Sequence, residues 1–159
     1  MNNILKLKNG DNIKLEWSFL VLEYLEEYPG GMKALKKDMR SHTHEIKISN
    51  YFCYAVINAN YEKKVTYEEA IKLIDLKALK QILEFIKKNE NEFNEFKKKR
   101  PNLFEQKDQK ETFKINKPKI IYNGTRLGLS PDDVMRLDPQ VYYELLEQHE
   151  ERMKALYGK

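Results

Sequence analysis

The chain lacks most features that mark secreted or membrane-spanning proteins. Cys53 is the one cysteine among 159 residues, so no internal disulfide can form and nothing argues for an oxidising compartment. No apolar run comes close to the length of about 20 residues that a membrane-spanning helix needs. The first residues, MNNILKLKNGD, contain neither an apolar segment nor a small-residue cleavage site, so we expect no signal peptide. These absences predict a soluble protein of the cytoplasm.

The sequence also lacks the motifs of common catalytic and cofactor sites. It contains no G-x-G-x-x-G pattern and no Walker A pattern. His42 and His44 could supply two metal ligands, but no cysteine, third histidine or HExxH motif accompanies them, which favours a polar loop. Cys53 lies in the most apolar segment, which favours a buried, inert thiol over a nucleophile. We therefore predict no enzyme activity, metal, cofactor or small-molecule substrate.

The net charge of +4 is concentrated in one short stretch. Residues 1–96 have a net charge of 0, and residues 120–159 have a net charge of −2. Residues 97–119 carry nine basic and three acidic side chains. A DNA-binding domain usually carries its basic excess on a folded reading surface, whereas this excess lies between two better-patterned regions.

Composition divides the chain at the same place. Four of the five prolines lie in the last 59 residues, and the stretch before residue 120 is rich in Lys, Gln, Asn and Glu. So few apolar residues favour a flexible linker, because little burial would offset the entropy of ordering it. The composition predicts a helical body (1–98), a basic flexible linker (99–122) and a C-terminal helical module (123–159).

The body is predicted to begin with a β-hairpin. Apolar and polar residues alternate in ILKLK and NIKLEW, on either side of Asn9-Gly10, and this dipeptide is typical of hairpin turns. The alternation directs one set of side chains into the core: Leu5, Leu7, Ile13, Leu15 and Trp17.

Helices are expected to follow the hairpin. Ser18 could cap the helix FLVLEYLEEY, which ends at Pro29-Gly30-Gly31. The segment 46–61 is rich in aromatic and β-branched residues, so a strand competes there, but its length and apolar spacing favour a buried helix. Its tyrosines and phenylalanine could stack on bases, although core packing is the better interpretation. Thr66 and Asp75 could begin two further helices.

The C-terminal module is predicted to contain two helices. Ser130-Pro131 and Asp138-Pro139 each place a capping residue before a proline at the first helical position. The second helix carries a stripe of apolar residues that so small a module cannot bury alone, so the stripe needs the body or a partner. The predicted fold class is therefore mainly α, with an N-terminal β-hairpin, a linker and a short two-helix C-terminal module.

The order of these patterns resembles a known family. The resemblance rests on LKLKNGDNIKLEWSFLVLEYLEEYPGGMKALKKDM, YFCYAVINANY, VTYEEAIKLIDL and LGLSPDDVMRLDPQVYYELLEQHEE. In this order they resemble the tail assembly chaperones of long-tailed bacteriophages and prophages, in the longer form that carries an appended module. Asp138-Pro139 replaces the Thr-Pro or Ser-Pro that is usual in the family.

The resemblance implies a non-catalytic role in virion assembly. Members keep the long helical tape-measure protein soluble, and the longer form recruits tail-tube subunits. They act in the cytoplasm of the bacterial host and are expected to be absent from the mature virion. The longer form often arises by programmed ribosomal frameshifting, and Lys97-Lys98-Lys99 could be encoded by an A-rich slippery run. Self-association is left open.

The resemblance suggests two partner surfaces, although internal packing is an open alternative for each residue. The expected tape-measure surface lies on the hairpin and first helix and contains Trp17, Tyr24 and Tyr28. The expected tail-tube surface lies on the module and contains Leu127, Leu129, Leu137, Tyr142 and Tyr143.

Two other functions compete with the chaperone. The first is a small nucleic-acid-binding or regulatory protein that uses the basic stretch 97–119 and whose binding would fall steeply with salt. The second is a helical adaptor of another pathway.

Overall fold

A computed structural model describes residues 3–100 and 116–158 of the chain. Within these residues the protein has two short strands and eight helices, which confirms the predicted mainly helical fold with an N-terminal hairpin. In chain order the elements are β1 (Ile4–Lys6), β2 (Asn12–Lys14), α1 (Phe19–Leu25), α2 (Gly31–Ser41), α3 (Glu45–Asn60), α4 (Tyr67–Leu73), α5 (Leu76–Lys98), α6 (Lys117–Arg126), α7 (Pro131–Met135) and α8 (Pro139–Tyr157).

The side chains of the hairpin that were predicted to face the core do so. β1 and β2 pair antiparallel with Leu5 opposite Ile13, and both side chains are buried. The turn differs in detail from a two-residue Asn-Gly turn, since Gly10 adopts the left-handed conformation and Asn9 does not. The Asn9 side chain instead accepts a hydrogen bond from the backbone N–H of Asp11 at 3.0 Å. This local bond stabilises the turn from its polar side.

The main core surrounds α3. Ala55, Val56 and Ile57 in the middle of this helix are fully buried, and the helix packs against α1, α2, α4 and α5. A helix buried on nearly every side carries apolar residues without a clear stripe. Because the stripe is missing, the sequence of this segment is also compatible with a strand. The structure confirms the predicted helix.

α1 is shorter than its sequence pattern suggests. It ends at Leu25, and the chain then forms a tighter turn in which Tyr28 N–H donates a hydrogen bond to the carbonyl of Leu25. Gly30 and Gly31 both have positive φ, which turns the backbone into α2. The tightened turn directs Tyr28 into the core instead of continuing the exposed helix face.

The predicted caps begin the later helices. The side chains of Thr66 and Asp75 accept the N–H groups of Glu69 and Ala78 at the starts of α4 and α5. Ser130 and Asp138 do the same at α7 and α8. Ser18 precedes α1 as expected, but its side chain makes no capping hydrogen bond.

The end of the predicted linker is helical, which corrects that part of the prediction. α6 occupies residues 117–126, so 117–122 belong to a helix and the C-terminal region contains three helices. The Asn116 side chain caps α6 by accepting Lys119 N–H at 3.2 Å, and Ile120 is buried. The Asn116 cap and the buried Ile120 side chain stabilise this helix despite its polar composition. Residues 101–115 of the predicted linker lie outside the described residues.

A second, smaller core joins the C-terminal helices to the body. Its buried members are Phe19, Ile120, Val134, Met135 and Tyr142. Phe19 comes from α1, whereas the other four come from α6, α7 and α8. The C-terminal helices therefore dock on α1 of the body, where Leu20 and Leu22 also pack against this core.

Candidate interaction surfaces

The body residues predicted to bind a partner have different environments. Trp17 and Tyr24 are half-buried and pack against the main core, with the Trp17 ring edge-on to Phe85 at 6.1 Å. The Trp17 indole N–H is buried without a hydrogen-bond partner in the described part of the chain. Tyr28 is only 1% exposed, so its assignment to an exposed surface is wrong, because the turn after α1 folds it inwards.

The predicted module residues mostly serve internal packing. Tyr142 is 1% exposed and donates a hydrogen bond to the carbonyl of Ile120 at 3.1 Å, so it is no exposed contact and its assignment is corrected. Leu129, Leu137 and Tyr143 are half-buried around the second core, and half-buried Leu127 lies apart from it. Sequence periodicity found the apolar face correctly but could not show what covers it.

Ring contacts and a few polar links connect the module to the body at a contact region that we call the joint. In one ring contact, the centroids of Phe93 on α5 and Tyr143 on α8 lie 6.2 Å apart. The rings of Phe19 and Tyr142 meet edge-to-face, with centroids 5.1 Å apart. Phe19 N–H donates to the carbonyl of Leu137 at 3.1 Å. The Arg100 guanidinium lies 2.9 Å from Glu147, and it also lies over the Phe96 ring.

A further ion pair crosses the joint between Lys117 and Glu23, whose charged atoms are 2.7 Å apart. Both side chains are more than a third exposed, so solvent screens the pair and it contributes little stability. The apolar contacts of the joint, with Phe19 at their centre, therefore contribute more stability than this ion pair.

Five tyrosines form a continuous cluster on the body, which we call the tyrosine platform: Tyr24, Tyr28, Tyr51, Tyr54 and Tyr67. Neighbouring ring centroids lie 4.7 to 6.5 Å apart. Four of the rings are half-buried and present part of their surface, while the fifth is buried. The cluster is not apparent in the sequence, because its members come from α1, α3, α4 and the turn after α1.

Carboxylates hold two of the platform hydroxyls. Tyr54 donates to Glu27 and Tyr28 donates to Asp38, each at 2.5 Å. Burial, followed by the hydrogen bond to Asp38, raises the pKa of the Tyr28 hydroxyl to about 12. Burial likewise raises the pKa of Tyr51, with the charges of neighbouring groups adding to the effect. The raised pKa values of Tyr28, Tyr51 and Tyr54 keep these three hydroxyls neutral at physiological pH.

Cations cover two edges of the platform. The Lys47 ammonium lies 5.0 Å from the centre of the Tyr28 ring, and Lys64 lies 5.6 Å from the centre of the Tyr24 ring. Such contacts are favourable because the face of an aromatic ring carries partial negative charge. The platform thus already attracts cations from its own chain.

The groups that could have supported catalysis have ordinary structural environments. Cys53 is buried, and desolvation raises the pKa of its thiol to about 12, so it stays protonated. His42 and His44 are both exposed and adopt left-handed backbone conformations between α2 and α3. No group of three metal-ligating side chains occurs within residues 3–100 and 116–158. None of the helices described here is both long and apolar enough to cross a membrane.

Several basic side chains of the stretch 97–119 lie against other parts of the chain. Lys97 is half-buried, and desolvation lowers the pKa of its ammonium. Lys98 lies 3.3 Å from Glu95, and Arg100 belongs to the joint.

Comparison of the chain with family models, with curated proteins and with solved structures finds no match.

Proposed function

We propose that this chain is a non-catalytic tail assembly chaperone of a long-tailed bacteriophage or prophage. In this role it binds the tape-measure protein and recruits tail-tube subunits in the host cytoplasm, and it leaves before the virion matures. The proposal rests on the ordered sequence resemblance. The hairpin, the helix after Trp17, the Thr66-capped helix and the two proline-headed helices occur in the order that the resemblance requires.

The observation that carries the proposal furthest is the separation of two cores. The body has its own core around α3, while the module shares a small core with the body through Phe19. A module attached in this way can exchange its contact with the body for a contact with a second protein. Since both remain on one chain, the second partner is held at a raised effective concentration near the first.

The position of the joint also fits two products from one gene. A shorter product that ends near Lys97-Lys98-Lys99 would keep the main core and lack α6 to α8. It would also lack the side chains that cover Phe19. The nucleotide sequence tests this part of the proposal, because a continuous frame without a slippery heptamer or an overlapping stop codon would contradict frameshifting.

Coexpression with the tape-measure protein encoded in the same genome tests the chaperone function. We expect the tape-measure protein to move from the insoluble to the soluble fraction and to copurify with this chain. An unrelated helical protein of similar size, expressed from the same vector, serves as the control. A tape-measure protein that stays insoluble to the same extent in both cases would contradict the proposal.

Tail-tube recruitment needs a separate measurement. We expect the purified tail-tube subunit to be retained on a column that carries the full chain. Retention that persists when the tube subunit is replaced by an unrelated β-rich protein would show that the interaction is unspecific.

A further inference from the structure

The end of α8 carries an apolar stripe without a partner in the described structure. All residues from 150 to 158 are exposed, whereas the first half of the helix packs on the second core. We call residues 150–158 the α8 overhang. Met153, Leu156 and Tyr157 are 37%, 68% and 73% exposed, and together they form the main apolar part of the overhang.

Two cations flank this stripe. At 3.6 residues per turn, Leu156, Met153 and Tyr157 follow one another around one side of the helix. Arg152 lies beside Leu156, and Lys154 lies beside Tyr157, at the two edges of the stripe. From Arg152 onwards the overhang contains no acidic residue. Glu150 and Glu151 lie at the start of the overhang, with Glu150 one turn before Lys154. The last two turns therefore present a short apolar helix face with Arg152 at one edge and Lys154 at the other.

The tyrosine platform has the complementary chemistry. Cations of the same chain cover Tyr28 and Tyr24, but within the described residues none lies over Tyr51, Tyr54 or Tyr67. These three rings are half-buried and can still lose exposed aromatic area to a partner. Tyrosine is one of the residues that most often supplies binding energy at protein interfaces.

Acidic side chains border the uncovered rings. Glu27 accepts the Tyr54 hydroxyl, and both Glu27 and Glu68 lie close enough to Tyr51 to raise the pKa of its hydroxyl. Both glutamates are exposed. An incoming helix that carries cations beside an apolar stripe would thus meet ring faces and carboxylates together.

We propose that the α8 overhang of one copy docks on the tyrosine platform of a second copy of this chain. The apolar stripe covers Tyr51 and Tyr67, while Arg152 and Lys154 face Glu27 and Glu68. The proposal is independent of the chaperone function, since it concerns self-association alone.

This contact joins two different surfaces and therefore leaves one of each kind open on every pair. Repetition of such a contact closes into a ring or extends as a filament, instead of stopping at a symmetric dimer. The overhang has little more than two turns, so each contact buries much less than the about 800 Å² per partner of a standard interface. We expect weak, concentration-dependent assembly.

Analytical ultracentrifugation of the full chain, over about a hundredfold range of concentration reaching the high micromolar range, tests the inference. The weight-average mass should rise with concentration beyond that of a dimer. Leu156→Ser should shift this rise to higher concentration without changing the thermal unfolding of the chain, because Leu156 is mostly exposed. A chain that stays monomeric at every concentration would overturn the inference.

Charge reversal identifies the two surfaces. Glu27→Lys with Glu68→Lys should abolish assembly, and so should Arg152→Glu with Lys154→Glu. Two matched variants carry the same change of charge elsewhere on exposed helix positions and should assemble like the parent: Glu84→Lys with Glu92→Lys, and Lys119→Glu with Arg126→Glu. Circular dichroism verifies that each variant is folded.

Mixing the two reversed variants is the decisive step. Each fails to assemble alone, but the reversed platform of one accepts the reversed overhang of the other, so the mixture should regain high mass. A mixture that stays monomeric while both variants are folded would overturn the inference. Assembly that survives reversal of the platform would also overturn it, and would point to another occupant, such as a second overhang.

Discussion

The Tyr28 hydroxyl couples the main core to a carboxylate at its edge. Its hydrogen bond lowers the pKa of Asp38 below the ordinary value of 3.8, against the opposing effect of desolvation. A carboxyl whose folded pKa lies below its unfolded pKa contributes stability that is complete above the unfolded value. That stability is lost as the pH falls through the folded value. Tyr28 thus makes folding sensitive to acid.

We predict that Tyr28→Phe lowers the free energy of unfolding at pH 7 and flattens its dependence on pH below about 4. The ring still fills the core, but the hydrogen bond that favours ionised Asp38 is gone. Urea unfolding between neutral pH and about pH 3 measures the effect. Tyr122→Phe, at a position that is 64% exposed, should leave both stability and its pH dependence unchanged.

Asn58 is a buried polar side chain whose hydrogen-bonding groups are all engaged. Its amide donates to the carbonyls of Tyr54 and Val65 at 3.0 and 3.1 Å, and its oxygen accepts Val65 N–H at 2.9 Å. It therefore ties the loop before α4 to the buried helix α3. A single polar residue inside an apolar segment gave no sign of this role in the sequence.

We predict that Asn58→Ala destabilises the protein by about 2–4 kcal/mol, because the N–H and carbonyl of Val65 lose their buried partners. Chemical denaturation measures this loss. Asn91→Ala, on an exposed face of α5, is the control and should change the free energy of unfolding by less than about 0.5 kcal/mol. A similarly small effect at Asn58 would contradict the buried-network interpretation.

At the scale of elements, α6 and α7 approach each other closely because Gly124 has no side chain. A Cβ built on Gly124 would lie 2.3 Å from Cγ2 of Val134, which is fully buried. The glycine therefore permits an approach of the two helices that no other residue allows. It lies inside a helix, where glycine is otherwise unfavourable.

We predict that Gly124→Ala destabilises the C-terminal helices by about 1–3 kcal/mol, since overpacking outweighs the gain in helix propensity. Adding Val134→Ala removes both clashing methyl groups and should recover part of the loss, which a double-mutant cycle measures. Thr125→Ala on the exposed face is the matched control. Full additivity of the two substitutions would contradict direct packing.

Helix starts were the elements best predicted from sequence. Thr66, Asp75, Ser130 and Asp138 act within three residues of their own position, so their sequence context contains the whole interaction. Helix ends were less predictable. α1 ends at Leu25 because the following turn buries Tyr28 in the core, and the residues that pack against Tyr28 there are distant in the chain.

At the scale of the whole molecule, Phe19 decides how body and module are coupled. It lies on a body helix, yet it belongs to the second core. Its ring is 3% exposed and contacts Tyr142, so a local change at this position alters a contact between distant parts of the chain. The ion pairs at the joint are half-exposed and add little by comparison.

We predict that Phe19→Ala releases the module from the body while the main core remains folded. Truncation of a buried phenylalanine costs about 3–5 kcal/mol, and here it removes the body side chain that is buried in the second core. Hydrogen exchange should therefore quicken in α7 and α8 and stay slow in α3. Tyr122→Ala is the control on an exposed ring, and equal acceleration in α3 and α8 would contradict separate cores.

The candidate surfaces were predictable only in part. The periodicity of α8 identified its apolar stripe and indicated that so small a module could not bury the stripe alone. It could not distinguish the half that packs on the body from the half that remains exposed. The platform was not predictable, because its tyrosines are separated by up to 43 positions, from Tyr24 to Tyr67, and only the packing of α1, α3 and α4 brings them together.

Short-range patterns therefore determined the fold class, the hairpin, most helix starts and the facing of apolar side chains. Each depends on interactions between residues a few positions apart, which a sequence displays directly. The tertiary structure decided the inward turn of Tyr28, the helix over residues 117–126, the joint at Phe19 and the assembly of the platform. These features depend on burial against residues far along the chain, and the free energy of burial depends on which surfaces meet.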